Sequence, residues 1–196
     1  MSINSSNVGG MENGSVILHD FSVVGSSSKL DHNFSKDPIL AVDLAPSEVV
    51  SKTDSDVSTV VAIVGMAGDA AEVSELVESE QGRVALLKAT HVRSASSWNF
   101  RIRARLSTCR VDGRSYGKPG ISICRFRPQD GRVFAVGGWD HRVRLFERSK
   151  GKAMAILRGH SGSVGALDWD PTSSGLLASA GNEDTHIYLW KCFGKD

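Results

Sequence analysis

Cysteine is scarce: Cys109, Cys124 and Cys192 are the only three in 196 residues, far apart and without a C-x-x-C pair. Such an odd, scattered count fits free thiols in a reducing compartment better than a disulfide framework or a zinc site. An excess of one charge is missing too. With 23 Lys and Arg against 22 Asp and Glu, the formal charge of +1 sets up no bulk field toward nucleic acid or an anionic membrane. The longest strongly apolar run, Ser58–Ala67, is too short to span a bilayer. Met1–Ser15 has neither the basic start nor the apolar centre of a secretory signal. A soluble, intracellular protein of the nucleus or cytoplasm is expected, with no membrane partner. Gly65, Gly68, Gly159, Gly162 and Gly165 match neither G-x-x-x-x-G-K-[ST] nor G-x-G-x-x-G. The six histidines lack metal-ligand spacing, so no cofactor and no metal is expected. Helical periodicity is absent from every long segment except Asp69–Glu80, whose acidity suits an exposed loop or a short helical turn. The expected fold class is all-β.

What is present is a repeat. ICRFRPQDGRVFAVGGWDHRVRLF (Ile123–Phe146) aligns with ALDWDPTSSGLLASAGNEDTHIYLW (Ala166–Trp190) at an offset of 43 to 44 residues. Phe126 and Pro128 fall on Trp169 and Pro171, Asp140 on Asp184, and Leu145-Phe146 on Leu189-Trp190. Fainter copies stand upstream: Val8–Asp20 repeats the second half, and Ile39–Glu48 the first. A period of about 40 to 45 residues ending on a Trp-Asp-type motif is that of a β-propeller blade. Within it, RVFAVGG and HRVRLF read as a hairpin around a Gly- and Asp-containing turn. In HRVRLF, Val143 and Leu145 alternate with Arg142 and Arg144, which predicts one packed and one polar face. FRIRARL (Phe100–Leu106) alternates in the same way, as a charged outer edge strand would.

The resulting map places the C-terminal half of a blade in residues 1–36 and a full blade, with an acidic insertion at 66–81, in 37–106. A connecting loop follows at 107–119, then a WD-repeat blade at 120–158 and a second, with the C-terminal end, at 159–196. Propellers close with four to eight blades, and seven of this period need about 300 residues. The expectation is therefore a partial WD-repeat β-propeller of about three and a half blades, truncated from a seven-bladed one.

RGHSGSV, LDWDP and LLASAGNEDTHIYLW together resemble a complete WD repeat. GISICRFRPQDGRVFAVGGWDHRVRLFER resembles, more narrowly, the penultimate repeat of the G-protein-β-subunit-like and ASTRA-associated WD-repeat proteins. That resemblance is good over Gly120–Phe146, continues less distinctively to Trp190, and is weakest over 47–119. It implies a non-enzymatic scaffold for other proteins in a multi-subunit complex. The complexes concerned are the co-chaperone and chromatin assemblies that mature phosphatidylinositol-3-kinase-related kinases. The plant member of the group is linked to embryo development and to cell-to-cell transport through plasmodesmata. No small-molecule substrate and no nucleic acid is implied. The alternative is a G-protein-β-like signalling adaptor, against which stands the lack of N-terminal coiled-coil heptads for a Gγ-like chain.

The resemblance also implies that His160, Ser179, Asp184 and Trp190 form a hydrogen-bonded network inside the last blade. The blade before it has Val136, Asp140 and Phe146 at the equivalent places, so apolar packing is expected to hold it. Asp140-His141 looks like an acid–base pair, yet its copies read Asp184-Thr185 and Asn13-Gly14. Only the turn-forming residue recurs, as expected of side chains that bond nearby backbone N–H groups. Ser161, His160 and Asp184 could be taken for a triad, but no G-x-S-x-G elbow is present. No catalytic residue is expected. Candidate partner-binding residues are Trp139, His141 and Arg142 in one turn, Arg158 and Ser161 on the rim, and the basic strand residues Arg101, Arg103 and Arg105.

Overall fold

The computed structural model describes residues 6–10, 12, 14–20, 26–30, 38–45, 57–67, 84–92, 97–106, 110–111, 114–115, 120–150, 152–172 and 175–193. All regular structure among them is antiparallel strand. Sheet 1 is β1 (Ser6–Gly10), β2 (Val16–Asp20) and β3 (Ser26–Leu30) in that order. Sheet 2 is β4 (Ile39–Leu44), β5 (Val57–Met66), β6 (Val84–Val92) and β7 (Ser97–Leu106). A short ribbon, β8 (Arg110–Val111) with β9 (Arg114–Ser115), stands within the stretch expected as a connecting loop. Sheet 3 is β10 (Ile121–Phe126), β11 (Val133–Gly138), β12 (Arg142–Glu147) and β13 (Lys152–Arg158). Sheet 4 is β14 (Val164–Trp169), β15 (Leu176–Gly181) and β16 (Ile187–Lys191). No helix long and apolar enough to cross a membrane occurs among the described residues. Asn13, most of the 66–81 insertion and most of Ser115–Gly120 lie outside them.

The sheets stack in chain order, and each interface has its own apolar cluster. Val16 of sheet 1 meets Ile39, Val64 and Leu87 of sheet 2. Ile63 and Leu86 on the other face of sheet 2 meet Cys124, Phe134 and Phe146 of sheet 3. Val143 and Leu145 then meet Leu167, Trp169 and Leu177 of sheet 4. Each fully buried side chain of this kind contributes about 1.5–3 kcal/mol. Polar ties cross the same seams: the Phe126 N–H donates to Asp43 Oδ2 at 2.6 Å, and the Trp169 indole to the Arg125 carbonyl at 3.2 Å. Burial pushes the Asp43 carboxyl above its usual range despite the Phe126 N–H and nearby Arg125.

This stacking corrects the expected one-sided strand pattern. All six residues of β11 are buried, as are Val143, Arg144, Leu145 and Phe146 of β12. A sheet between two others has no solvent face, so Arg144, expected on a polar face, has 0% of its surface exposed. In β7 the register shifts between the Leu86–Ala104 and Leu87–Ile102 pairs. That bulge at 103 interrupts the continuous two-residue alternation the sequence suggests.

One position repeats in three sheets. Gly10, Gly65 and Gly137 pair with Val16, Val84 and Val143, just before the β1–β2, β5–β6 and β11–β12 turns. A Cβ added at Gly65 would stand 2.6 Å from Ile121, and one at Gly137 2.6 Å from Val164. At Gly10 the clash, with Ile39, would be worse still. The first strand of each following sheet therefore presses a β-branched residue onto the preceding sheet where only glycine leaves room.

Candidate protein-interaction site

At one end of sheets 3 and 4 lie the β11–β12 turn, the β13–β14 connection and the β15–β16 turn. Hydrogen bonding joins the last two: the Asn182 N–H donates to the Ser163 carbonyl at 2.8 Å. His141 (φ 67°) and Thr185 (φ 55°) occupy the same place in their turns, as does Gly14 (φ 75°). Both turns thus need a left-handed residue immediately after the aspartate, a conformation that side chains other than glycine adopt at a cost.

Sheet 4 restrains its turn with four side chains. His160, in the β13–β14 connection, places Nδ1 2.5 Å from Asp184 Oδ2 and Nε2 2.7 Å from Ser179 Oγ. The Trp190 indole donates to the same Oγ at 2.8 Å. An indole N–H can only donate, so Ser179 accepts from it and turns its own hydroxyl toward His160 Nε2. Nδ1–H then donates to Asp184. The backbone N–H groups of His186 and Ser161 also reach Asp184, at 3.1 and 3.2 Å. Tyr188 covers the imidazole edge-on at 4.7 Å, and its hydroxyl donates to the Gly159 carbonyl.

Serine on Nε2 and aspartate on Nδ1 is the connectivity of a hydrolase triad. Here it runs through Ser179 in the sheet, not through Ser161, whose exposed side chain lies outside the network. Ser179 is 1% exposed and already holds the indole, so a substrate carbonyl cannot reach its oxygen unless the blade opens.

Burial alone would raise the Asp184 carboxyl. The His186 N–H, His160 and the Ser161 N–H outweigh that and hold it below its ordinary value. A carboxyl lowered on folding contributes stability above its unfolded pKa and loses it as pH falls through the folded one. The stability difference between wild type and Asp184→Asn should therefore be constant through neutral pH and shrink below about pH 4. Denaturant titrations over pH 3–7, a range set about the ordinary carboxyl value, read this directly. A difference that persisted unchanged into acid would contradict it.

Sheet 3 uses another device. Asp140 accepts two hydrogen bonds from Arg144, at 3.0 and 2.6 Å, and one from Arg142 at 3.1 Å. The expectation that apolar packing alone holds this blade is thereby corrected. Phe134 does stack on Phe146 at 5.3 Å, but a buried ion pair sits at the turn end of the same face. Arg144 Nε has no hydrogen-bond partner, the one such buried side-chain nitrogen or oxygen among the described residues. Sequence reasoning missed Arg144, and the signal was slight: an aspartate retained in a blade lacking the hydroxyl and the indole.

On the outer surface of these turns, Trp139 is 44% exposed and lies flat on Gly120, where an added Cβ would be 2.7 Å from its ring. Its N–H donates to the Gly120 carbonyl at 3.0 Å. His141 is exposed and Arg142 half-buried. Exposed Arg158 is the cross-strand partner of Arg142. The structure therefore brings Trp139, His141, Arg142 and Arg158 to one corner of sheet 3. Ser161 lies at the same end, on the connection that leaves Arg158. Arg101, Arg103 and Arg105 belong to β7 of sheet 2, and Arg101 pairs with Lys88 and Arg105 with Ala85. No His, Cys, Asp and Glu grouping able to hold a metal occurs among the described residues.

Comparison with known proteins agrees with this architecture. The family described as "WD domain, G-beta repeat" matches residues 151–191. The mouse guanine nucleotide-binding protein subunit beta-like protein 1 is 39% identical over 75 residues, covering 38% of this chain and 22% of the relative. ASTRA-associated protein 1 of Schizosaccharomyces pombe is 34% identical over 64 residues, 33% of this chain and 17% of the relative. The chain thus spans less than a quarter of either relative in the matched regions. The solved structure of the computationally designed Ika4 protein superposes with a TM-score of 0.57 at 14% identity, over 97% of this chain and 87% of that one.

Proposed function

We propose that this chain, which matches the WD-repeat family over residues 151–191 and has a partial β-propeller fold, is a non-enzymatic scaffold holding protein partners within an ASTRA-type assembly. The observation that carries this reading is the corner of sheet 3. There a large exposed indole stands on a turn restrained from beneath by the Asp140–Arg144 pair, beside Arg142 at the start of β12 and its cross-strand neighbour Arg158 at the end of β13. Exposed aromatic and arginine side chains on a rigid support are the usual anchors of protein interfaces. A partner that buries Trp139 gains its apolar area at little cost in ordering. The likeness to ASTRA-associated protein 1 supports the class of assembly, and a place in the nucleus or cytoplasm is part of the same proposal.

Affinity capture with the full chain tests it. Wild type should retain ASTRA-type subunits, and Trp139→Ala should weaken retention by about tenfold or more while its unfolding midpoint stays close to wild type. If Trp139→Ala remained folded and kept every partner, that anchor would be wrong. If wild type retained none of these subunits, the assembly would be wrong. The likeness to guanine nucleotide-binding protein subunit beta-like protein 1 favours a second reading, a G-protein-β-like adaptor. Capture of a Gα- or Gγ-like chain in the same experiment would select it.

A further inference from the structure

The Trp139 corner of sheet 3 carries two choices of residue that cost stability. His141 holds a left-handed conformation at φ 67°, where the corresponding turn of sheet 1 has Gly14 at φ 75°. Glycine adopts that conformation without steric cost, and histidine does not. Arg142 and Arg158 are direct cross-strand partners, and like charges placed opposite each other repel. The side chains concerned reach the surface: His141 and Arg158 are exposed and Arg142 is half-buried. Residues that break local rules together, at one place on the surface, are a sign of function.

Charge at this corner is predominantly of one sign. Arg144 takes both oxygens of Asp140, and Arg142 shares one of them. Counting Arg158, three guanidinium groups stand against one carboxylate among the described residues of the corner, in a chain whose formal charge is only +1. Exposed Glu183 belongs to the sheet 4 turn, where it stands beside Gly162. Arg144 is fully buried, and salt screens a buried charge much less than a surface one. The shape is a line across the sheet. Three carbons of the Trp139 ring would stand 2.7 to 2.9 Å from a Cβ at Gly120, so the indole is seated beside the start of β10. Arg158 ends β13, on the opposite side of the sheet. With strands about 4.8 Å apart, β10 and β13 are separated by about 14 Å, the reach of about four extended residues.

Resting on the reading of this corner as an interface, we propose that its occupant is a short acidic segment of a partner protein, extended across the turn end of sheet 3. An apolar residue of the segment lies on Trp139. Its Asp or Glu carboxylates accept hydrogen bonds from Arg142, Arg158 and the His141 imidazole N–H. Cations strung along an edge fit several single charges. A phosphate group calls instead for arginines clustered at one point, and a nucleic acid for a broader basic face.

Fluorescence anisotropy with the full chain and a labelled peptide of about eight residues, glutamates around one phenylalanine, is the test. Wild type should bind it, and should bind the same peptide with glutamine for glutamate about tenfold or more weakly. Raising the salt from about 0.05 to 0.5 M should weaken binding of the first peptide and spare the second. Arg158→Ala and His141→Gly, both at exposed positions, should each lower affinity for the glutamate peptide by about fivefold or more. His141→Gly should at the same time raise the melting temperature, because the left-handed strain is relieved, so lost binding is not lost folding. Equal affinity for the two peptides, no loss in either variant, or equally tight binding of a phosphoserine peptide without other acids or of a single-stranded oligonucleotide would overturn the proposal. Partner capture that depends on Trp139, with no binding of the glutamate peptide, would overturn the acidic occupant and leave the scaffold reading standing. Binding of the peptide by a chain that captures no ASTRA-type subunit would uphold the occupant and overturn only the assembly.

Discussion

Asp140→Ala should lower the unfolding free energy by about 3–5 kcal/mol, the cost of leaving a buried charge without its partner. Arg144 is fully buried, and both of its terminal nitrogens bond Asp140. With the carboxylate removed, nothing in the described structure compensates the guanidinium. Arg142 would lose its bond to Asp140 as well, so the corner bearing Trp139 should loosen. Replacing both members, Asp140→Ala with Arg144→Leu, should recover most of the loss, because a buried ion pair is often no better than apolar packing of similar volume. Urea titrations at one fixed protein concentration measure the cycle. A single substitution costing under about 1 kcal/mol would place the pair among weakly contributing surface bridges, contrary to its burial.

His160→Ala should be nearly as costly, at about 2–4 kcal/mol. Among the described residues the imidazole is the one side chain that hydrogen-bonds both Ser179 and Asp184. Without it, Asp184 keeps only backbone donors, and the Ser179 hydroxyl has lost its acceptor inside the sheet. In a chain of this length the melting temperature should fall by about 10 °C. Ser161→Ala is the control and should shift stability by less than about 0.5 kcal/mol, since the network uses only the Ser161 N–H. Equal losses from both substitutions would show that the loop as a whole, not the imidazole, restrains the blade.

The two networks differ in how legible they were. That of sheet 4 is spread over thirty-odd residues, His160 to Trp190, but each member stands at a fixed place in a repeat, so aligning the copies exposes it. The pair in sheet 3 sits within five residues, yet Arg144 obeys a two-residue alternation that places it in solvent. Nothing local to β12 reports that a neighbouring sheet covers that face. The same blindness applied to β7, where a bulge at 103 leaves no trace in FRIRARL. The Gly137-Gly138 pair was legible as a turn signal, but the reason for Gly137 was not: it is the approach of Val164 from the next sheet.

The sequence by itself determined the period, the strands, the turns and the aspartates that set them, because each depends on residues close along the chain. Spacing alone revealed that the chain is built of blades. Only the tertiary structure decided which strand faces meet another sheet, since burial of a face is a property of its neighbour. That is why Arg144 became a buried counter-ion and why Ser179 carries a triad's connectivity beyond a substrate's reach.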